Sequence, residues 1–169
     1  MSEDAGEFTI RVAMESDAAT IAWHRARMWQ DMGELPTDLF EPLRATCEPH
    51  LKQRLASGDY IGWLACPAAS PDLIVAGAGV HLRGVMPHPL KVGRDTVAIA
   101  DGRHGTIVNV FTEPEWRRRG VAALLMKQII AWSREERLDR LVLHASAAGR
   151  ALYEKMGFVT TNEMRLAND

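Results

Sequence analysis

The chain has 169 residues, of which 47% are hydrophobic and 25% charged, a balance that suits one globular domain spanning 1–169 and argues against disorder. A formal net charge of −2 makes non-specific nucleic-acid binding a poor prospect, and no apolar run approaches membrane-spanning length. The two cysteines, Cys47 and Cys66, lack metal-ligand spacing; they read as reduced side chains of a cytoplasmic protein, and no metal is expected.

In chain order, the acidic start at 1–7 lacks the apolar centre of a signal peptide. Phe8 to Val12 alternates as a strand. Ser16-Asp17 is placed to cap a helix that carries Ile21, Trp23, Met28 and Trp29 toward Gly33. Pro36 or Thr37 opens a second helix with Leu39, Leu43, Leu51 and Leu55 as its apolar positions, kinked or divided at Pro49. Tyr60 to Cys66 and Leu73 to Leu82 read as antiparallel strands across a Pro-Ala-Ala-Ser-Pro-Asp turn. Residues 83–104 are punctuated by Pro87, Pro89, Gly93 and Asp101-Gly102, which predicts a long loop with at most a short strand near Val97 to Ala100.

The most informative stretch follows. Ile107 to Thr112 is β-branched and aromatic apart from Asn109, a buried-strand pattern, and Glu113-Pro114-Glu115 ends it. Arg117, Arg118 and Arg119 then run into Gly120, and Val121, Leu124, Leu125, Ile129 and Trp132 recur at helical spacing. The first N–H groups of a helix have no internal partner and carry the positive end of its dipole. With three arginines beside them and little side chain at Gly120 and Ala122, they make an anion site suited to a diphosphate. The turn is neither a P-loop nor a Gly-x-Gly-x-x-Gly loop. After a helix from about Arg118 to Arg137, Arg140 to Ala145 reads as a parallel strand and Ala148 to Met156 as a short helix capped by Gly157. Phe158 to Thr160 and Glu163 to Leu166 are expected to close the sheet.

Arg117-x-x-Gly120-x-Ala122, after an apolar strand and before Tyr153-Glu-Lys-Met-Gly157-Phe158, resembles the signature of the GNAT superfamily of N-acetyltransferases over at least 105–160. The resemblance implies a mixed α/β sheet, mostly antiparallel, with a splayed parallel pair and about four helices around it. It implies acetyl-CoA as co-substrate, its pantetheine arm and acetyl carbonyl on the backbone of Val110, Phe111 and Thr112. The pyrophosphate would lie on Arg117, Arg118, Arg119, Gly120, Val121 and Ala122. Tyr153 takes the place of the family's general acid, although a half-buried ring packed on Phe158 explains it too. Ser146 stands where relatives carry a cofactor-contacting asparagine, and it equally suits a helix cap. Arg150 could steer the cofactor or belong to a solvated face. A homodimer is implied by the resemblance alone.

No carboxylate is inherited as general base, because Thr106 or Ile107 and Arg140 or Leu141 hold the family's positions. His81, His144 and Glu113 remain open for that role, and Asn109 either faces the cleft or makes a structural hydrogen bond. Trp29, Asp31, Met32 and Glu34 are the residues expected to shape acceptor choice, as an acidic, aromatic pocket for a cationic amine. The sequence thus reads as an acetyl-CoA-dependent enzyme acting on a small-molecule primary amine by direct attack in a ternary complex. Acetylation of protein N-termini or lysines is the second enzymatic reading, and a non-catalytic acyl-CoA sensor the rival from another class.

Overall fold

A computed structural model describes residues 6–167, so the start at 1–5 lies outside the described residues. The strands are β1 (Phe8–Val12), β2 (Tyr60–Pro67), β3 (Ala76–Gly84), β4 (His88–Val92), β5 (Thr96–Ala100), β6 (Arg103–Thr112) and β7 (Arg140–Leu143). The helices are α1 (Ala18–Asp31), α2 (Phe40–Ser57), α3 (Val121–Glu135) and α4 (Arg150–Lys155). The main sheet runs β1-β2-β3-β6-β7, antiparallel except for the parallel β6–β7 pair, and β4–β5 is a separate ribbon.

The sheet separates two apolar layers. On one face Trp63, Val75, Val80 and Ile107 pack with Val121, Leu125, Met126 and Ile129 of α3 and with Tyr153 of α4. On the other, Tyr60 and Leu64 meet Ile21 and Ala22 of α1 and Leu51 of α2. The inward face of α1 is built from Ala18, Ile21, Ala22, His24 and Ala26, whereas Trp23 is exposed and Met28 and Trp29 are only half-buried. Small residues let this helix lie close to the sheet, which a count of large apolar side chains does not register.

Several expectations are corrected. The short strand expected near Val97 to Ala100 is β5, but the segment 83–104 also holds β4, and the two form a hairpin with Gly93 at φ 77° in its turn. Pro89 masks the first of these strands, because a proline is tolerated in a two-stranded ribbon where its missing donor costs no central ladder bond. Phe158 to Thr160 and Glu163 to Leu166 form no strand, and Val159, Met164 and Leu166 are exposed. Only Phe158 of these packs against the core, beside Tyr153.

Pro49 lies inside α2, which runs undivided because Leu51 is anchored in the core with Cys47 and Leu55 against it. That packing outweighs a cost of about 3 kcal/mol for an interior proline. Leu39 stays exposed in a short turn before the helix. The third helix starts at Val121 rather than near Arg118, since Arg118 (φ 65°) and Gly120 (φ 80°) are left-handed.

Neither Ser16 nor Asp17 caps α1 with its side chain. Asp17 instead receives both guanidinium arms of Arg11 at 2.8 Å and the Met14 N–H at 2.8 Å. The Arg11 hydrogen bond holds its carboxyl below the ordinary value, with the Met14 N–H adding to the effect. A lowered folded pKa contributes stability that is present above the unfolded value and is lost as pH falls through the folded one. Asp17→Asn should therefore cost about 1–2 kcal/mol at neutral pH. Denaturant titrations of both proteins should converge at about pH 2, below the ordinary aspartate range. A gap that persists there would show that the charge is not its source.

Candidate active site

β6 organises the site. One edge pairs with β3 along the strand, while the other pairs with β7 only from His104↔Arg140 to Ile107↔Leu143. β7 stops at Leu143, so the backbone edge of β6 from Val108 to Thr112 is left without a strand. Its N–H and C=O groups need hydrogen-bond partners, and an extended ligand with amides of its own can supply them.

Midway, the ladder to β3 slips. Gly79 faces Val108 and Gly77 faces Phe111, so β6 carries one extra residue, a β-bulge. Asn109 sits in it at φ 58°. Consecutive residues Val108 and Asn109 both turn to the α1/α2 layer, and Val110 returns to the α3 side.

Buried Asn109 accepts a hydrogen bond from Arg25 Nη1 at 2.8 Å and donates one to the Tyr60 hydroxyl at 3.2 Å. Tyr60 is wholly enclosed, which pushes its phenol up to about 12. Its ring meets His81 at 5.1 Å, edge to face. Burial lowers the His81 pKa, with Arg54, Arg25 and His50 adding positive charge nearby, and its Nδ1 is buried without a partner.

Beyond the strand, Pro114–Trp116 makes a single turn, then the chain passes left-handed Arg118 and Gly120 into α3. Leu124 N–H donates to Gly120 O at 3.1 Å, so the N–H groups of Val121, Ala122 and Ala123 precede the first helical bond. The arginines differ. Arg117 donates to Thr112 O at 2.9 Å, pairs with Asp31 and lies 5.7 Å from the Phe111 ring centre. Arg119 pairs with Glu7 at 3.2 Å and covers Trp116 at 4.8 Å. Arg118 has no side-chain hydrogen bond or ion pair among the described residues.

On the β7 side, Ser146 makes the turn that leads into α4: its hydroxyl accepts from Gly149 N–H at 3.2 Å and its carbonyl from Arg150 N–H at 3.1 Å. Tyr153 is buried against Gly149 and stands edge-on to Phe158 at 6.2 Å. Burial raises its phenol, so it stays protonated through neutral pH. Exposed His144 pairs with Glu163 at 2.7 Å, and Arg150 reaches Thr160 and Glu154.

Asn109 and His81 thus meet in one network, whose other members, Arg25 and Tyr60, sequence reasoning missed. Trp29 joins its edge, with the Arg25 guanidinium 5.7 Å from its ring centre. Asp31 is engaged by Arg117 and Arg27, while Met32 and Glu34 are exposed at the helix end. Glu113 lies 3.8 Å from the buried His24, whose pKa burial lowers to about 4. These two line a cavity of about 420 Å³ with Ala19, Thr20, Trp23, Asp72 and Ile74. None of its walls comes from β7, the bulge or the Gly120 turn, although His24 stacks on Phe111 of β6 with ring centres 5.0 Å apart. His24 was legible, three residues from Ile21 and four from Met28 on an apolar face.

Among the described residues, no three His, Cys, Asp or Glu side chains converge as a metal site would require. Cys47 and Cys66 are unbonded, and no described helix is long and apolar enough to cross a membrane.

A family model described as the acetyltransferase (GNAT) family matches residues 20–158. Among solved structures, the chain is similar to a GCN5-related N-acetyltransferase from Ralstonia eutropha JMP134. The identity is 27%, with 95% of this chain and 98% of that one covered and a TM-score of 0.80. It is also similar to a predicted acetyltransferase with acetyl-CoA from Clostridium acetobutylicum, at 26% identity over 95% and 96% of the chains, TM-score 0.75. An aminoglycoside N-acetyltransferase in complex with CoA shares the fold at 14% identity over 100% and 99%, TM-score 0.65. No curated protein sequence matches the chain.

Proposed function

The chain belongs to the GNAT acetyltransferase family, and from that premise we propose that it moves the acetyl group of acetyl-CoA to a primary amine of a small molecule, by direct attack in a ternary complex. The observation that carries this reading is the unpaired edge of β6 from Val108 to Thr112, leading straight to the open N-terminus of α3.

The residues fit the co-substrate. Val110 to Thr112 offer the backbone groups for a pantetheine arm, with its amides completing the ladder that β7 abandons. The free N–H groups at Val121 to Ala123, left-handed Gly120 and the uncommitted Arg118 suit a pyrophosphate. Arg117 and Arg119 exchange their carboxylate partners for it. The thioester supplies an activated acyl group and a thiol leaving group. Tyr153 returns a proton to the departing sulfur, and Ser146 orders the start of the helix that carries it. Of the three base candidates, His81 alone joins the network at the bulge, kept neutral by burial, and it takes the proton of the incoming amine directly or through water.

Gly120→Val tests the loop. A β-branched residue in a left-handed conformation is strained by about 1–3 kcal/mol and should pull the turn away from its geometry. CoA should bind about tenfold more weakly by calorimetry, and the strain should lower the melting temperature by several degrees. Unchanged affinity would remove the loop from the binding site.

Thiol release from acetyl-CoA, measured over a panel of amines with peptides included, tests the function as a whole. Turnover confined to small amines supports the proposal, and turnover of peptides moves it to protein acetylation. If CoA raises the melting temperature but no thiol is released, the sensor reading takes its place.

A further inference from the structure

We propose that the acceptor is an amine that also carries an anionic group, a carboxylate or phosphate, held by Arg25 and Arg54 on the α1/α2 face of the bulge. This rests on the transferase reading for which face receives the acceptor.

The argument begins from how the chain spends its arginines. Several find carboxylates: Arg11 takes Asp17, Arg44 takes Glu41 and Glu48, and Arg103 takes Glu136, whereas others, Arg118 among them, pair with none among the described residues. Arg25 and Arg54 are the unpaired ones whose charge bears on His81. Arg25 donates to the neutral amide of Asn109 at 2.8 Å, and Arg54 to His50 Nε2 at 2.8 Å. Neither has an ion-pair partner among the described residues. The carboxylate between α2 and β2, Asp59, accepts from Ser57 at 2.8 Å rather than from either arginine.

Positive charge gathered and left uncompensated is unfavourable in the free protein and becomes favourable when a ligand brings the missing anion. Geometry gives the charge its place. Arg25 is pinned to Asn109, Asn109 to Tyr60, and Tyr60 to His81, so the guanidinium stands at the bulge with one Nη engaged. Its remaining donors keep the planar fork that matches a carboxylate or phosphate. The acidic residues first expected to attract a cationic amine are otherwise committed or remote: Asp31 is held by Arg117, and Glu34 is exposed at the helix end.

The test is binding to CoA-saturated protein of amines in matched pairs: glycine and glycinamide, β-alanine and β-alaninamide, phosphoethanolamine and ethanolamine. The anionic member of at least one pair should bind about tenfold tighter, and the pair concerned tells carboxylate from phosphate. Arg25→Gln and Arg54→Gln should each shrink that ratio, and Arg25→Lys should retain part of it. If Arg25→Gln does not fold, Arg54→Gln still reads the effect. A panel in which no anionic amine binds tighter than its neutral mate overturns the proposal, as does a ratio that neither substitution changes. Thiol release run in parallel is a separate readout. Anion preference without release would count against acetyl transfer while leaving the anion site in place.

Discussion

Tyr153→Phe should lower kcat by about a hundredfold or more while leaving the affinity for CoA within about twofold, because a general acid contributes on that scale and the phenol ring is retained. The hydroxyl makes no hydrogen bond among the described residues, so its removal should hardly change the melting temperature. The ring remains edge-on to Phe158 and packed over Gly149. Burial raises the phenol above its ordinary value, which keeps the acid form present to higher pH. The wild-type rate should therefore show no alkaline fall from this group up to about pH 9. Steady-state kinetics with calorimetric CoA binding check both halves. A variant that unfolds, or one with unchanged kcat, would make Tyr153 a packing residue only.

The second large effect concerns Gly79, which touches no ligand. A Cβ built there would lie 2.1 Å from the Tyr60 hydroxyl oxygen and 2.2 Å from the ring carbon that bears it. Tyr60 cannot swing aside, since it is fully enclosed, bonded to Asn109 and flanked by His81. Gly79→Val should cost about 3 kcal/mol, the upper range for overpacking a filled core. Displacing Tyr60 frees Asn109 and, through it, Arg25, so acceptor KM should rise in whatever fraction folds. Denaturant unfolding and kinetics together decide it. A stability change below about 0.5 kcal/mol would mean the sheet face can yield, and the proposed rigidity of the network would fall.

The elements that carry the cofactor site were legible because several signals coincide on them. Ile107 to Thr112, the arginine-glycine turn and the periodic helix each declare themselves by composition, and their order implies the parallel β6–β7 pair. What escaped notice has specific causes. The bulge is invisible because Val108 and Asn109 face the same way, and period-2 reasoning assigns them to opposite faces. Arg25 goes unnoticed in the sequence, since nothing nearby indicates that it reaches Asn109, far away along the chain. Tyr60 looked like an ordinary strand start, and only the glycine across the sheet reveals its role. In the 88–100 hairpin the short strand expected near Val97 to Ala100 is β5, while Pro89 hides its partner β4 from a reading of the sequence.

The extra residue in β6 separates what the fold needs from what the network needs. Gly79 pairs with Val108 and Gly77 with Phe111; excising Asn109 would set Ala78 opposite Val110 and make the ladder regular. Facing would survive, because Ile107 and Val110 already lie on the α3 side and Val108 on the other. The left-handed backbone would vanish as well. One deleted codon would thus tidy the sheet while cutting Arg25 and Tyr60 loose from each other. The fold would accept that shorter strand; the network across the α1/α2 face would not.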